Sequence, residues 1–179
     1  MSRFHPVPLH PVLRRTFGAA LVAFSAAASA APWTTIGSAG VVDEADAGLV
    51  DFANGEARMK AGAPVGSVLN LRYNIVALEG FQGFNQVAWL VRFRDNGNGA
   101  RVRLTLRQYN TTGTTSTIET FDSNSYAAQV GYQTQVLCTA ATWDFQNGPF
   151  YIEAELTKSD GTGQPALGLT MLTNANCTP

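Results

Sequence analysis

The sequence predicts an all-β protein: one antiparallel β-sandwich of about eight strands, jelly-roll-like, with an open β-barrel as the alternative. Three observations predict it. Apolar and polar residues alternate with a period of two from residue 66 onward, which turns one side of each segment to a core and the other to water. Clusters of Asn, Asp, Thr and Gly separate those segments, and such residues punctuate strands because they accept turn conformations. Beyond the first 30 residues no capped apolar stripe with a 3.6-residue period is sustained, so no major helix is expected.

The elements follow in order. Arg14 and Arg15 precede an apolar, Ala-rich stretch from Phe17 to Ala28, and Ala28-Ser29-Ala30 has the small-residue pattern of a cleavage site. Residues 1–30 therefore read as an export signal and residues 31–179 as one domain that is secreted or periplasmic. The Arg14-Arg15-Thr16-Phe17 order is compatible with twin-arginine or general secretory export. No later stretch approaches about 20 uninterrupted apolar residues, so no membrane span is expected in the mature chain. Residues 40–52 offer a first, irregular strand candidate. Segments 67–77, 87–94, 101–107, 114–122, 132–138, 150–159 and 166–172 complete the set. Asp95-Asn96-Gly97-Asn98-Gly99 lies between two of them, and its turn chemistry predicts an antiparallel hairpin. Trp89 alternates with Val87, Val91 and Phe93 and is expected in the core, whereas the pattern does not place Trp33 or Trp143.

Removing the signal takes Arg3, Arg14 and Arg15 with it, leaving nine basic residues against 13 acidic ones, a net charge of −4. A nucleic-acid partner is disfavoured. His5 and His10 leave too, so the mature chain contains no imidazole. Catalysis by Ser-His-Asp or Cys-His groups and histidine-ligated zinc are excluded with it. Two cysteines, Cys138 and Cys177, remain in a chain bound for an oxidising compartment, which predicts a single structural disulfide.

The order of an Arg-rich pair of strands, a cysteine strand, and Asp144-Phe145-Gln146-Asn147 leading into Tyr151-Ile152-Glu153-Ala154-Glu155-Leu156 resembles secreted bacterial all-β proteins of uncharacterised activity over residues 87–172. The resemblance implies a fold type and a compartment, and no activity.

Chemistry is confined to a few places. Arg92, Arg94, Arg101, Arg103 and Arg107 share one face by parity if their strands form a hairpin, and like charges opposite one another are destabilising. Glu153 and Glu155, an i, i+2 pair, are expected to neutralise them, with Glu119 as a further carboxylate. An anion or acidic-polysaccharide face is the alternative, favoured where arginines lie together without glutamates. Phe81, Phe84 and Asn85 lie in a Gly- and amide-rich segment, and Tyr126 and Tyr132 lie in or beside a second loop. Rings flanked by amides suit a sugar, which needs an apolar platform and orienting hydrogen bonds. The same rings could instead fold inward as lids on the core. Asp95–Gly99 and the acidic run 43–46 could be oxygen-rich calcium loops, but neither completes an EF-hand pattern and an ordinary turn explains the first. No cofactor is expected.

The leading functional reading is a non-enzymatic binding module for carbohydrate or an envelope component, with Phe81, Phe84, Asn85, Tyr126 and Tyr132 as ligand-binding residues. A structural or interaction protein of the envelope, meeting another protein through a strand edge or the charged face, is the alternative. A third reading makes Glu153 and Glu155 the carboxylates of a glycoside hydrolase. Five arginines on their face oppose it, because a general acid needs desolvation or a negative neighbour.

Overall fold

The computed structural model describes residues 32–77, 83–174 and 177, without the side chains of residues 84 and 85. Residues 1–30, expected to be an export signal, and Phe81 lie outside the described residues. Eleven strands form: β1 (Trp33–Ile36), β2 (Val41–Val42), β3 (Val50–Ala53), β4 (Glu56–Met59), β5 (Val68–Ile75), β6 (Gly83–Asp95), β7 (Ala100–Tyr109), β8 (Thr115–Asp122), β9 (Gln129–Trp143), β10 (Phe150–Lys158) and β11 (Ala166–Thr173). They build two antiparallel sheets. The first runs β3-β4-β11-β6-β9, with β1 also paired to β11, and the second runs β2-β5-β10-β7-β8.

From β4 onward the chain crosses from one sheet to the other at every connection except β7 to β8. That order, two interleaved four-stranded sheets, is the jelly roll. The sheets remain two separate layers, so the open-barrel alternative is not realised.

The alternation in the sequence becomes the core. From β6, Val87, Trp89, Val91 and Phe93 point inward and are fully buried, and from β7 Val102, Leu104 and Leu106 meet them from the other sheet, with Ile152, Leu156 and Phe150 of β10 beside them. Burying each such side chain contributes on the order of 1.5–3 kcal/mol. Trp33 and Trp143, which the pattern left unplaced, are buried as well. Two of the aromatic side chains in the core carry their polar atoms to partners: Trp89 Nε1 donates to Thr170 Oγ1 at 2.8 Å, and Tyr73 Oη donates to the Gly37 carbonyl at 2.7 Å. Burial pushes the Tyr73 phenol above its ordinary value.

The expected hairpin of residues 87–94 with 101–107 does not form. β6 pairs with β9 and β11, and β7 pairs with β8 and β10. Asp95–Gly99 is an arch that carries the chain across the sandwich. Both edges of each strand are already taken, β6 by β11 and β9 and β7 by β10 and β8, so the two stripes meet across the core instead of across a shared ladder. Arg92 and Arg94 consequently occupy the outer face of the first sheet, while Arg101, Arg103 and Arg107 occupy that of the second.

Cys138 of β9 is disulfide-bonded to Cys177, with Cα atoms 5.5 Å apart, so the chain beyond β11 is tied back to the outer face of the first sheet.

Candidate functional site

At one end of the sandwich three connections, 96–99, 123–128 and 159–165, are locked together by short polar side chains. The buried Asp95 carboxylate, at the end of β6, accepts from the Gly97 amide at 3.1 Å and from the Ser123 hydroxyl. Ser123 Oγ in turn accepts from the Val102 amide at 2.9 Å. Asn96 clasps the third connection, donating Nδ2 to the Thr162 carbonyl and accepting from the Gln164 amide, both at 2.8 Å. Asp160 gathers the hydroxyl of Thr162 at 2.7 Å and the amides of Thr162 and Gly163 at 2.8 and 2.9 Å, and these bonds hold its carboxyl below the usual range. Two glycines permit the approach. A β-carbon on Gly163 would lie 1.7 Å from the Gly99 carbonyl oxygen, and one on Gly99 would lie 2.0 Å from Asp160 Oδ1.

Two of these connections, 96–99 and 123–128, together with the end of β6, enclose a cleft of about 410 Å3 lined by Asp95, Gly97, Asn98, Asn124, Tyr126 and Ala128. Tyr126 is half-buried. Its ring stacks on Phe121 with centroids 5.5 Å apart and planes 18° apart, and lies 6.4 Å from Phe93, so the core fixes one side of the ring while the residue also lines the cleft. Asn98 and Asn124 are exposed at the rim. The arrangement offers a rigid ring, two amides with donors and acceptors, and a carboxylate bonded only to neutral groups. Those groups are chemically suited to stacking on and hydrogen-bonding a polar ligand.

The other predicted residues lie elsewhere. Phe84 and Asn85 pair through their backbone with Thr142 and Ala141 near the start of β6, roughly 35 Å from Asp95 at the strand's ordinary rise. Tyr132 lies on the outer face of the first sheet. The Arg92 and Arg94 guanidinium carbons sit 5.2 and 5.7 Å from its ring centroid, and the ring passes over Gly168 of β11, where a β-carbon would be 3.4 Å from it. Burial, followed by the Glu56 carboxylate, pushes the Tyr132 phenol above its ordinary value. The aromatic residues singled out in the sequence are therefore distributed, and Tyr126 alone among those with described side chains lines the loop cleft.

On the second sheet's outer face the register places Glu153 of β10 opposite Arg72 of β5, and Glu155 opposite Arg103 of β7. Glu153 lies 2.6 Å from Arg107 and 3.8 Å from Arg72, Glu155 lies 3.6 Å from Arg103, and Arg72 reaches Asp43 at 2.9 Å. Arg101 pairs with Asp122, and its hydrogen bonds, helped by the Asn124 amide, hold the Asp122 carboxyl below the usual range. Glu119 takes no part in this ladder among the described residues; its carboxylate accepts from the Thr120 amide at 2.8 Å. Glu153 and Glu155 both line a cleft of about 110 Å3 with Asp43 and Arg72, and their oxygens lie on arginines. The acidic run 43–46 is similarly committed: Asp43 to Arg72, and Asp46 to the amide and side chain of Asn70 at 2.9 and 2.8 Å. Among the described residues no group of three or more His, Cys, Asp or Glu gathers as a metal site, and no helix is long and apolar enough to cross a membrane.

No family model matches the chain, and no curated protein matches it in sequence. Solved structures of similar shape include the C-terminal CBM6 of LamC, a marine laminarinase from Zobellia galactanivorans, at 8% identity and TM-score 0.46, covering 80% of this chain and 99% of that one. The CBM36-1 domain of a multidomain xylanase from the hindgut metagenome of Trinervitermes trinervoides is 10% identical with TM-score 0.46, covering 82% and 100%. A carbohydrate-binding module CBM36 in complex with calcium and xylotriose is 17% identical with TM-score 0.42, covering 79% and 99%.

Sequence reasoning missed Asp95, Asn98 and Asn124 as cleft residues. The available signal was the density of Asn and Asp in 95–99 and 122–124, which was absorbed as turn chemistry because nothing local shows that the two loops meet.

Proposed function

We propose that this protein is an exported, non-enzymatic binding module that takes a carbohydrate in the loop cleft. The Tyr126 ring provides the apolar platform, and Asn98, Asn124 and Asp95 provide the polar contacts. The single observation that supports this reading is the fixed Tyr126 ring beside two exposed amides, in a cleft whose walls are bonded to one another before any ligand arrives. Preorganisation of that kind lowers the ordering cost of binding. The export segment and the disulfide support a site of action outside the cytoplasm.

A glycan array with the purified protein tests the reading. Tyr126→Ala is expected to weaken binding about tenfold or more, and Asn98→Ala and Asn124→Ala, which leave the Phe121 stack untouched, to weaken it severalfold each. Binding that survives all three changes removes the proposal. A second reading, an envelope interaction protein, draws on the edge strand β9, where Val130 is 89% and Val136 55% exposed. Exposed edges of that kind pair with other chains. Self-association or partner capture abolished by Val136→Lys, together with an empty array, would favour it.

A further inference from the structure

All seven arginines of the mature chain fall within the described residues, and five of them, Arg58, Arg72, Arg101, Arg103 and Arg107, are in ion pairs. Arg92 and Arg94 are different. No carboxylate among the described residues lies within ion-pair distance of either, and both share the Tyr132 ring. Two acids stand nearby: Arg58 lies 2.8 Å from Asp51 and 4.0 Å from Glu56, and the Glu56 carboxylate also acts on the Tyr132 phenol, without reaching ion-pair distance of Arg92 or Arg94. Arg94 gives only its Nε to the Gln164 carbonyl at 3.1 Å, and Arg92, exposed on the sheet, makes no hydrogen bond in the described structure.

A guanidinium that lies against an aromatic ring loses little of its hydrogen-bonding capacity, because the contact uses its face and leaves the N–H donors along its edge. Two of them spaced i, i+2 on β6 are held roughly 7 Å apart by the strand, with the Tyr132 ring limiting their rotamers. In a domain whose mature charge is negative, three arginines (Arg58, Arg92 and Arg94) against two acids (Asp51 and Glu56) leave this patch with a net positive charge and guanidinium donors free of carboxylates on Arg92 and Arg94.

We propose that Arg92 and Arg94, aligned on Tyr132, form a site for an acidic saccharide, whose carboxylate or sulfate ester is bound edge-on by the two guanidinium groups. The site is on the sheet face, is built from residues the loop cleft does not use, and stands whether or not the cleft takes a neutral sugar. Uronate and sulfate ester share the oxyanion chemistry that a guanidinium fork accepts.

Isothermal titration of the full protein at low salt with trigalacturonate, a sulfated heparin disaccharide and neutral cellotriose tests it. At least one acidic probe is expected to bind, to weaken as salt rises, and to lose about tenfold or more in affinity in the double variant R92Q/R94Q, the equivalent of one charged hydrogen bond. Arg103→Gln, on the opposite sheet, is expected to bind as the parent does. If the double variant has a lowered melting temperature, R92K/R94K, which keeps the charge but not the fork, replaces it and is expected to lose severalfold. Failure of both acidic probes to bind, full affinity in the variants, or an equal loss in Arg103→Gln overturns the proposal. Cellotriose reports on the loop cleft separately: binding lost in Asn124→Ala but kept in R92Q/R94Q distinguishes the two sites.

Discussion

The two outer faces of the sandwich are made by the same strand alternation and use their central arginines differently, although at the β3–β4 edge of the first Arg58 is paired with Asp51. On the second sheet, arginines and carboxylates interdigitate across β5, β10, β7 and β8, and Arg72, Arg101, Arg103 and Arg107 each have a carboxylate partner. On the first, Arg92 and Arg94 lie on Tyr132 without one. Beside them the register lines up Leu169 with Arg92, and Met171 with Leu90 and Val136, a largely apolar row that ends at the disulfide. The contrast separates two uses of arginine. Charge that is cancelled within a sheet secures register, because a slip of one residue would turn every partner to the core; charge left open beside a ring is available to something else.

The comparison can be sharpened from its largest expected effect downward. Replacing Cys138 with Ser removes the tie that closes a loop of 39 residues on the first face, and the chain-entropy relation gives a loss of about 4 kcal/mol. For a domain of this size that is a fall of roughly 10 °C in melting temperature, measurable by calorimetry. An unchanged midpoint would show that the outer face does not depend on its covalent tie.

A smaller effect is expected on the second face. Glu153→Gln leaves Arg107 without its carboxylate and Arg72 with Asp43 alone, and should cost about 1 kcal/mol, the upper range for exposed pairs. Arg92→Gln, with no partner to strand, should stay within about 0.5 kcal/mol. Equal losses in urea unfolding would break the distinction between cancelled and open charge.

The smallest is a pH dependence. Asp122 has a folded pKa below its unfolded one because of Arg101, so the pair stabilises fully at neutral pH. That stability is lost as pH falls below the ordinary carboxylate value, about pH 4, and through the lower folded one. Both side chains are partly exposed, so the effect is under about 1 kcal/mol. Asp122→Asn should flatten the acid limb of the melting-temperature profile by that amount.

Much of the fold was legible in the sequence. Alternation located the seven candidate segments from residue 67 onward, each of which is a strand in the structure, and it placed Trp89 in the core. Strands β1 and β4 were missed because four residues are too few to establish a period. The pairing of β6 was misread for a more general reason. Turn residues such as those of 95–99 report that the chain reverses, not whether it returns in the same sheet, and in a jelly roll most partners are distant in sequence. β6 lies between β9 and β11, a pairing that no local pattern encodes. The charged face was read in part for the same reason: the parity of Arg101, Arg103, Glu153 and Glu155 was visible, but the separation of Arg92 and Arg94 from them required the topology. The cleft was the least legible feature, since Asn98 and Asn124 meet only when the 96–99 and 123–128 connections are folded against each other.

The two glycines at the loop end have a consequence for how this end of the sandwich can vary. Gly99 and Gly163 leave no space for a side chain, so change there would dismantle the support itself. Asn98, Asn124 and Ala128 stand at the rim, where substitution disturbs little of the bonding beneath. Selection, or a mutant library aimed at those three codons, can therefore change the chemistry of the rim while the scaffold under it stays constant.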